Sequence, residues 1–116
     1  MPTELQQLQA RLQAFAEERD WSQFHSPKNL AAALCVEAAE LLEQFQWLTE
    51  EQSRELAGDK LAAVEEEIAD VVLYVLQLSD KLGVDILAAA NKKLLKNGEK
   101  YPVEKSKGTS KKYSEL

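Results

Sequence analysis

A single cysteine, Cys35, rules out an internal disulfide, and its helical, mostly apolar neighbourhood reads as a buried, inert thiol. Glycine is scarce, with four residues, and none forms the glycine-rich loop that cradles phosphates, so the P-loop and dinucleotide folds are excluded. No apolar–polar alternation marks a strand, and no internal repeat is present. No apolar run approaches the roughly 20 residues that cross a bilayer. The stretch Met1–Ala10 is polar and lacks the apolar core of a secretion signal, so a cytoplasmic protein is expected.

Basic charge is also scarce over most of the chain. Residues 1–91 carry six Lys and Arg against seventeen Asp and Glu, whereas residues 92–116 carry eight against three. An acidic body is a poor surface for polymeric nucleic acid, whose phosphates need a basic face. It suits a metal ion and a small phosphorylated ligand better, with the lysine-rich end as a counter-charge. At 116 residues, 45% hydrophobic and 29% charged, the composition is that of one globular domain.

Helical periodicity is what the sequence does have. Leu5, Leu8, Leu12 and Phe15 predict an amphipathic helix from about Thr3 to Arg19. Ser26-Pro27 reads as an N-cap with proline at the first helical position, opening a second helix to about Trp47 with Leu30, Leu34, Leu41, Phe45 and Leu48 as its buried stripe. Thr49 with Gln52 is a capping-box pattern for a short third helix through Leu56, stopped by Gly58. Asp59 then caps a long fourth helix to Leu82, ended by Gly83. Asp85 caps a fifth, closed at Asn97-Gly98. Residues from Tyr101 onward show no apolar period and read as a loop or extended tail. The fold class is therefore all-α, a helical bundle. Ile68 to Leu78 is apolar nearly all round, so an oligomer is expected to complete the core.

Two pairs of acids carry the chemistry: Glu37-x-x-Glu40 on the second helix and Glu67-x-x-Asp70 on the fourth. Residues three apart are neighbours on one helix face, so each pair can aim at one spot. If the two helices pack together, four carboxylates converge, and they would repel one another without a cation. Oxygen-only ligation selects a hard ion, Mg²⁺ with Mn²⁺ as a substitute, since zinc prefers His and Cys. Acids at this spacing are also common on solvated helix faces, and Glu65-Glu66-Glu67 could be one. Against that, Glu37 falls on the stripe of Leu30, Leu34 and Leu41. Asp70 abuts the apolar run from Val71 to Leu76, where an unpaired charge is expensive. No basic residue lies between Lys28 and Arg54 to serve as a local partner. Glu43 and Glu66 read as plain surface acids.

Phe24-His25-Ser26-Pro27-Lys28-Asn29-Leu30, Glu37-Ala38-Ala39-Glu40, Phe45-Gln46-Trp47 and Glu67-Ile68-Ala69-Asp70 occur in that order. They are followed by Lys93, Asn97, Lys100-Tyr101-Pro102 and the end Lys112-Tyr113-Ser114-Glu115-Leu116. This ordered set resembles the MazG-like all-α nucleoside triphosphate pyrophosphohydrolases, and within them the dCTP pyrophosphatase branch, from about Arg11 to the C-terminus. The resemblance implies Mg²⁺-dependent attack of water on a nucleoside triphosphate, dCTP or a modified pyrimidine deoxynucleotide, to give the monophosphate and pyrophosphate. It implies metal binding by Glu37, Glu40, Glu67 and Asp70, and assembly as a homo-oligomer, a dimer or a tetramer built from dimers. A spare carboxylate beside the metal can take the proton of the attacking water, and Glu40 is assigned that part.

The resemblance also lifts several residues that would otherwise be read as structural. Trp21 and Trp47 can stack on a nucleobase, an interaction of about 1–3 kcal/mol, although tryptophans are usually core or interface residues. Tyr74 joins them only through the resemblance. His25, the single histidine, could contact base or phosphate, or be a loop histidine satisfied by backbone. Lys93 and Asn97 share a helix face and Lys100 follows one turn on. They suit phosphate or sugar oxygens, or simply a solvated lysine face. The expected division is a hydrolase domain over residues 1–102 and a basic tail over 103–116. A dUTPase-like or broad-specificity pyrophosphohydrolase would share the acids and differ in the base pocket. A non-catalytic helical interaction module would use the acids only for solubility.

Overall fold

Most helix starts follow from capping contacts made within three residues. The computed structural model describes all 116 residues, with helices and short 3₁₀ turns and no strand. Helix α1 (Glu4–Glu18) opens on a full capping box between Thr3 and Gln6, and α3 (Glu50–Arg54) on the same device between Thr49 and Gln52. Ser26 caps α2 (Pro27–Glu43) through Asn29 N–H at 3.1 Å, with Pro27 at the first position. Asp85 caps α5 (Ile86–Lys100) through Ala88 N–H at 3.0 Å. Helix α4 (Gly58–Leu82) ends on Gly83 at φ 67°, the left-handed position that glycine adopts without strain.

Four boundaries differ from those the sequence predicts. Helix α2 stops at Glu43 and gives way to tight turns through Leu48, so Trp47 lies outside it. Helix α3 ends at Arg54 rather than Leu56. Asp59 is not the cap of α4: the chain enters through extended Ala57 and Gly58 at φ 59°, leaving Asp59 in the first turn, where its charge faces the positive end of the helix dipole. Helix α5 runs through Asn97-Gly98 to Lys100, because Gly98 keeps a negative φ and Tyr101 N–H bonds the Asn97 carbonyl at 2.9 Å.

The chain forms two compact units, Met1–Gly83 and Val84–Leu116. In the first, α2 lies along α4 and α1 packs on α4 as well. Ala16, Leu30, Val64 and Leu76 make the buried centre, Leu30 being 1% exposed and Leu76 2%. The rest of the predicted α2 stripe, Leu34, Leu41, Phe45 and Leu48, is half-buried. Cys35 is exposed, correcting the expectation of a buried thiol, because one residue on from Leu34 is about 100° around the helix, away from the packed stripe. Helix α1 closes with Asp20 at φ 55° and Trp21 N–H bonded to the Ala16 carbonyl at 2.9 Å, a Schellman turn that sets the path of the Trp21–His25 segment.

In the second unit, the segment after Tyr101 is not an extended tail. It folds into a short helix α6 (Val103–Ser106) and a final 3₁₀ turn at Tyr113–Glu115. Ser106 Oγ donates to the carbonyls of Tyr101 and Pro102. Tyr113 stands edge-on to Tyr101 with ring centres 6.1 Å apart. These contacts are made by side chains outside any amphipathic stripe, and helical periodicity alone does not reveal them. No helix in the chain is long and apolar enough to cross a membrane.

Candidate functional site

The packing of α2 against α4 brings the acids together. Carboxylate oxygens of Glu37, Glu67 and Asp70 all lie within 4.8 Å of one another, on half-buried side chains. Glu40 is half-buried one turn along α2, and its carboxyl acts on both Glu37 and Glu67. Glu43 and Glu66 are exposed, as the sequence suggests.

The electrostatics of the group are those of a site short of positive charge. Burial pushes the Glu37 carboxyl up to about 7, helped by the hydrogen bond and charge of Glu40 and the charges of Asp70 and Glu67. Glu67 is also pushed above the ordinary range, by burial first and then by the charges of Glu40 and Asp70. The Oε2 atoms of Glu37 and Glu67 are both buried without any hydrogen-bond partner. A buried carboxylate oxygen with no donor is costly, and the two salt bridges in the chain, Arg19–Glu18 and Arg54–Glu50, involve none of the four acids. An oxygen-only set with two orphaned atoms fits a hard divalent cation, which satisfies both atoms and offsets the repulsion.

Other predicted residues are distributed more widely. Trp21 stands edge-on to Phe15 at 5.8 Å with part of its ring exposed, and Trp47 is 87% exposed. Tyr74 is half-buried on α4, one turn beyond Asp70 on the same side. His25 lines a shallow hollow, open to solvent, between α1 and the C-terminal half of α4. None of the four acids lines that hollow. Lys93, Asn97 and Lys100 belong to the second unit. Asn97 is half-buried there, and the Lys100 ammonium sits 4.8 Å from the Tyr113 ring centre.

Two polar residues escape the sequence reading. Gln9 of α1 donates from Nε2 to the Leu76 carbonyl at 2.9 Å and to Ser79 Oγ at 3.1 Å, tying α1 to α4 at the buried end of the core. Gln77 lines the hollow from α4. Its signal was present: a lone carboxamide in the apolar run from Val71 to Leu78, at helical spacing from Asp70 and Tyr74.

The MazG-like family's sequence profile matches residues 32–116, which include all four acids. The chain belongs to the MazG-like family. Among curated MazG-like relatives it is similar to dCTP pyrophosphatase 1 of Rattus norvegicus, 42% identical over 104 residues, and of Homo sapiens, 41% identical over 104 residues. Each match covers 88% of this chain, and the chain spans 61% of the length of either relative. The fold is similar to the crystal structure of a pyrophosphatase from Archaeoglobus fulgidus, with a TM-score of 0.81 and 39% identity over 88% of this chain and 95% of that one.

Proposed function

We propose that this MazG-like chain is a divalent-cation-dependent nucleoside triphosphate pyrophosphohydrolase, cleaving dCTP or a modified pyrimidine deoxynucleotide to the monophosphate and pyrophosphate. The observation that carries this reading is the pair of orphaned, buried carboxylate oxygens on Glu37 and Glu67, within reach of Asp70. The names of the relatives, dCTP pyrophosphatase 1 and pyrophosphatase, support the substrate and the bond.

Glu37, Glu67 and Asp70 would hold the cation, Mg²⁺ or in its place Mn²⁺, with Glu40 beside them. Bound there, the cation supplies charge neutralisation to the phosphate oxygens and acidifies water in its shell. Glu40 accepts the proton of the attacking water at its carboxylate, since it is the acid outside the closest triad. Trp21, His25, Trp47 and Tyr74 hold the nucleoside end. Lys93, Asn97 and Lys100 neutralise and orient the phosphates. On this reading residues 1–102 are the hydrolytic domain and 103–116 a basic end, the protein acts as a homo-oligomer, and it clears cytoplasmic nucleotide pools.

The test is product analysis by phosphorus NMR after incubation with Mg²⁺ and each common dNTP and NTP. Monophosphate plus pyrophosphate, formed fastest from dCTP or its 5-modified forms, is expected. Diphosphate plus orthophosphate would place the cut elsewhere and overturn the reading. A preference for dUTP would keep the chemistry and overturn the base. No cleavage with either cation would favour a helical interaction module.

A further inference from the structure

We propose that Phe15 is a positioning residue for the base of the nucleotide: its ring holds Trp21 as a rigid stacking platform, and Arg19 in turn holds the Phe15 ring. This rests on the pyrophosphohydrolase reading above and on the place of Trp21 at the nucleoside end. Helical spacing puts Phe15 on the stripe of Leu5, Leu8 and Leu12, which are half-buried, yet Phe15 is 45% exposed and lies outside the buried centre. Its ring is engaged elsewhere. It meets the Trp21 ring at 71°, centre to centre 5.8 Å, an edge contact that fixes the tilt of the indole. The Arg19 guanidinium carbon stands 3.6 Å from the centre of the Phe15 ring, and Arg19 Nη1 donates to the Phe15 carbonyl at 3.0 Å. Arg19 thus ties Phe15 down at both ring and backbone.

The backbone under Trp21 is held as firmly. Six residues on along a continuing helix would place Trp21 about 240° around from Phe15, so the rings meet only because the chain turns at Asp20. Asp20, at φ 55°, is the one residue other than glycine with a positive φ, a conformation that is unfavourable for an L residue. Its own N–H bonds the Glu17 carbonyl at 3.0 Å, Trp21 N–H bonds Ala16, and Gln23 Nε2 donates to both the carbonyl and Oδ2 of Asp20. Trp21 remains 45% exposed, which leaves open ring for a base to stack on. Trp47, by contrast, is 87% exposed, and no aromatic ring or cation packs against its indole. A platform fixed before binding loses little freedom when the base arrives, so more of the stacking appears as affinity. A Phe15 that only closed the end of α1 would affect stability and leave the base contact alone.

The first measurement needs no substitution: nitrogen relaxation by NMR of the two indole N–H groups in the full chain without nucleotide. Trp21 should be as ordered as the helix backbone and Trp47 mobile, and equal mobility of the two would overturn the proposal. Steady-state kinetics then read the consequence, with dCTP as substrate and inorganic tripolyphosphate as an inhibitor lacking sugar and base. Phe15→Leu should raise KM for dCTP about tenfold, a large part of the stacking interaction, with kcat within about twofold. The inhibition constant of tripolyphosphate should stay unchanged. Phe15→Tyr keeps the ring and should hold KM near that of the unaltered chain. In a Trp21→Leu background, Phe15→Leu should add nothing to KM, because the two residues act through one contact. Full additivity of the two substitutions, an unchanged KM in Phe15→Leu, or a parallel loss of tripolyphosphate binding would overturn the role of Phe15 and leave the hydrolase reading standing. An unaltered chain that cleaves no nucleotide would overturn both.

Discussion

Glu37 and Glu67 come from different helices, yet each buries an Oε2 atom with no hydrogen-bond partner, and their carboxylate oxygens approach within 4.8 Å. Nothing in the chain compensates this pairing, so folding holds the two groups in an unfavourable state that a cation would relieve. The consequences are measurable without substrate as well as with it.

Removing one charge should separate stability from function. Glu67→Gln is expected to raise the melting temperature of the metal-free protein, because it removes a like charge from a crowded site. It should also abolish most of the stabilisation that Mg²⁺ gives the unaltered chain. Differential scanning calorimetry with and without Mg²⁺ reads both effects. A variant that remains fully responsive to Mg²⁺ would show that Glu67 is not a ligand.

Glu40→Gln and Asp70→Asn should each lower turnover by on the order of 100-fold or more, since even residues that support a metal site from outside commonly cost 10–100-fold when changed. Circular dichroism should show an intact helical fold in both. Near-normal turnover in either would contradict its assigned role.

The acids also set a pH dependence. Glu37 titrates at about 7 in the folded chain against an ordinary value of 4.5, so between these values the folded state holds more protons than the unfolded one. Its contribution to stability is therefore fully present below about pH 4.5 and is lost as pH rises through about 7. Glu67 acts in the same direction. The metal-free melting temperature should fall across that window, less steeply in Glu37→Gln, and Mg²⁺ should restore it most at the high end, where the ligands are deprotonated. An equal slope in the unaltered chain and Glu37→Gln would remove Glu37 as the cause.

Ending the chain at Pro102 should raise KM for the nucleotide by more than it lowers the melting temperature. It removes four of the eight lysines in residues 92–116 and the Tyr113 ring that faces Lys100. Identical Michaelis constants for the full-length and shortened forms would leave the basic end without a part in binding.

Val36, Leu42, Ile68 and Val72 are all exposed on α2 and α4, with Ile68 at 49%. Exposed apolar side chains on two packed helices call for cover. Light scattering at micromolar concentration should report at least a dimer, and Ile68→Lys should shift it toward monomer. A stable monomer of the unaltered chain would refute this.

The amino-acid sequence by itself determined the parts that depend on near neighbours. Thr3, Ser26, Thr49 and Asp85 cap helices through backbone groups three residues away, so their effect is local and readable. The acids of each pair share a face because the helix repeat requires it. Tertiary structure alone decided whether the two pairs would meet, which depends on how α2 lies on α4 and leaves two oxygens without donors. It also decided that Gln9 would reach the Leu76 carbonyl, that Gln77 would border a hollow, that Cys35 would face outward and that α2 would stop at Glu43. Each of these turns on which side of a helix finds a neighbour, and periodicity specifies a face without specifying what packs against it.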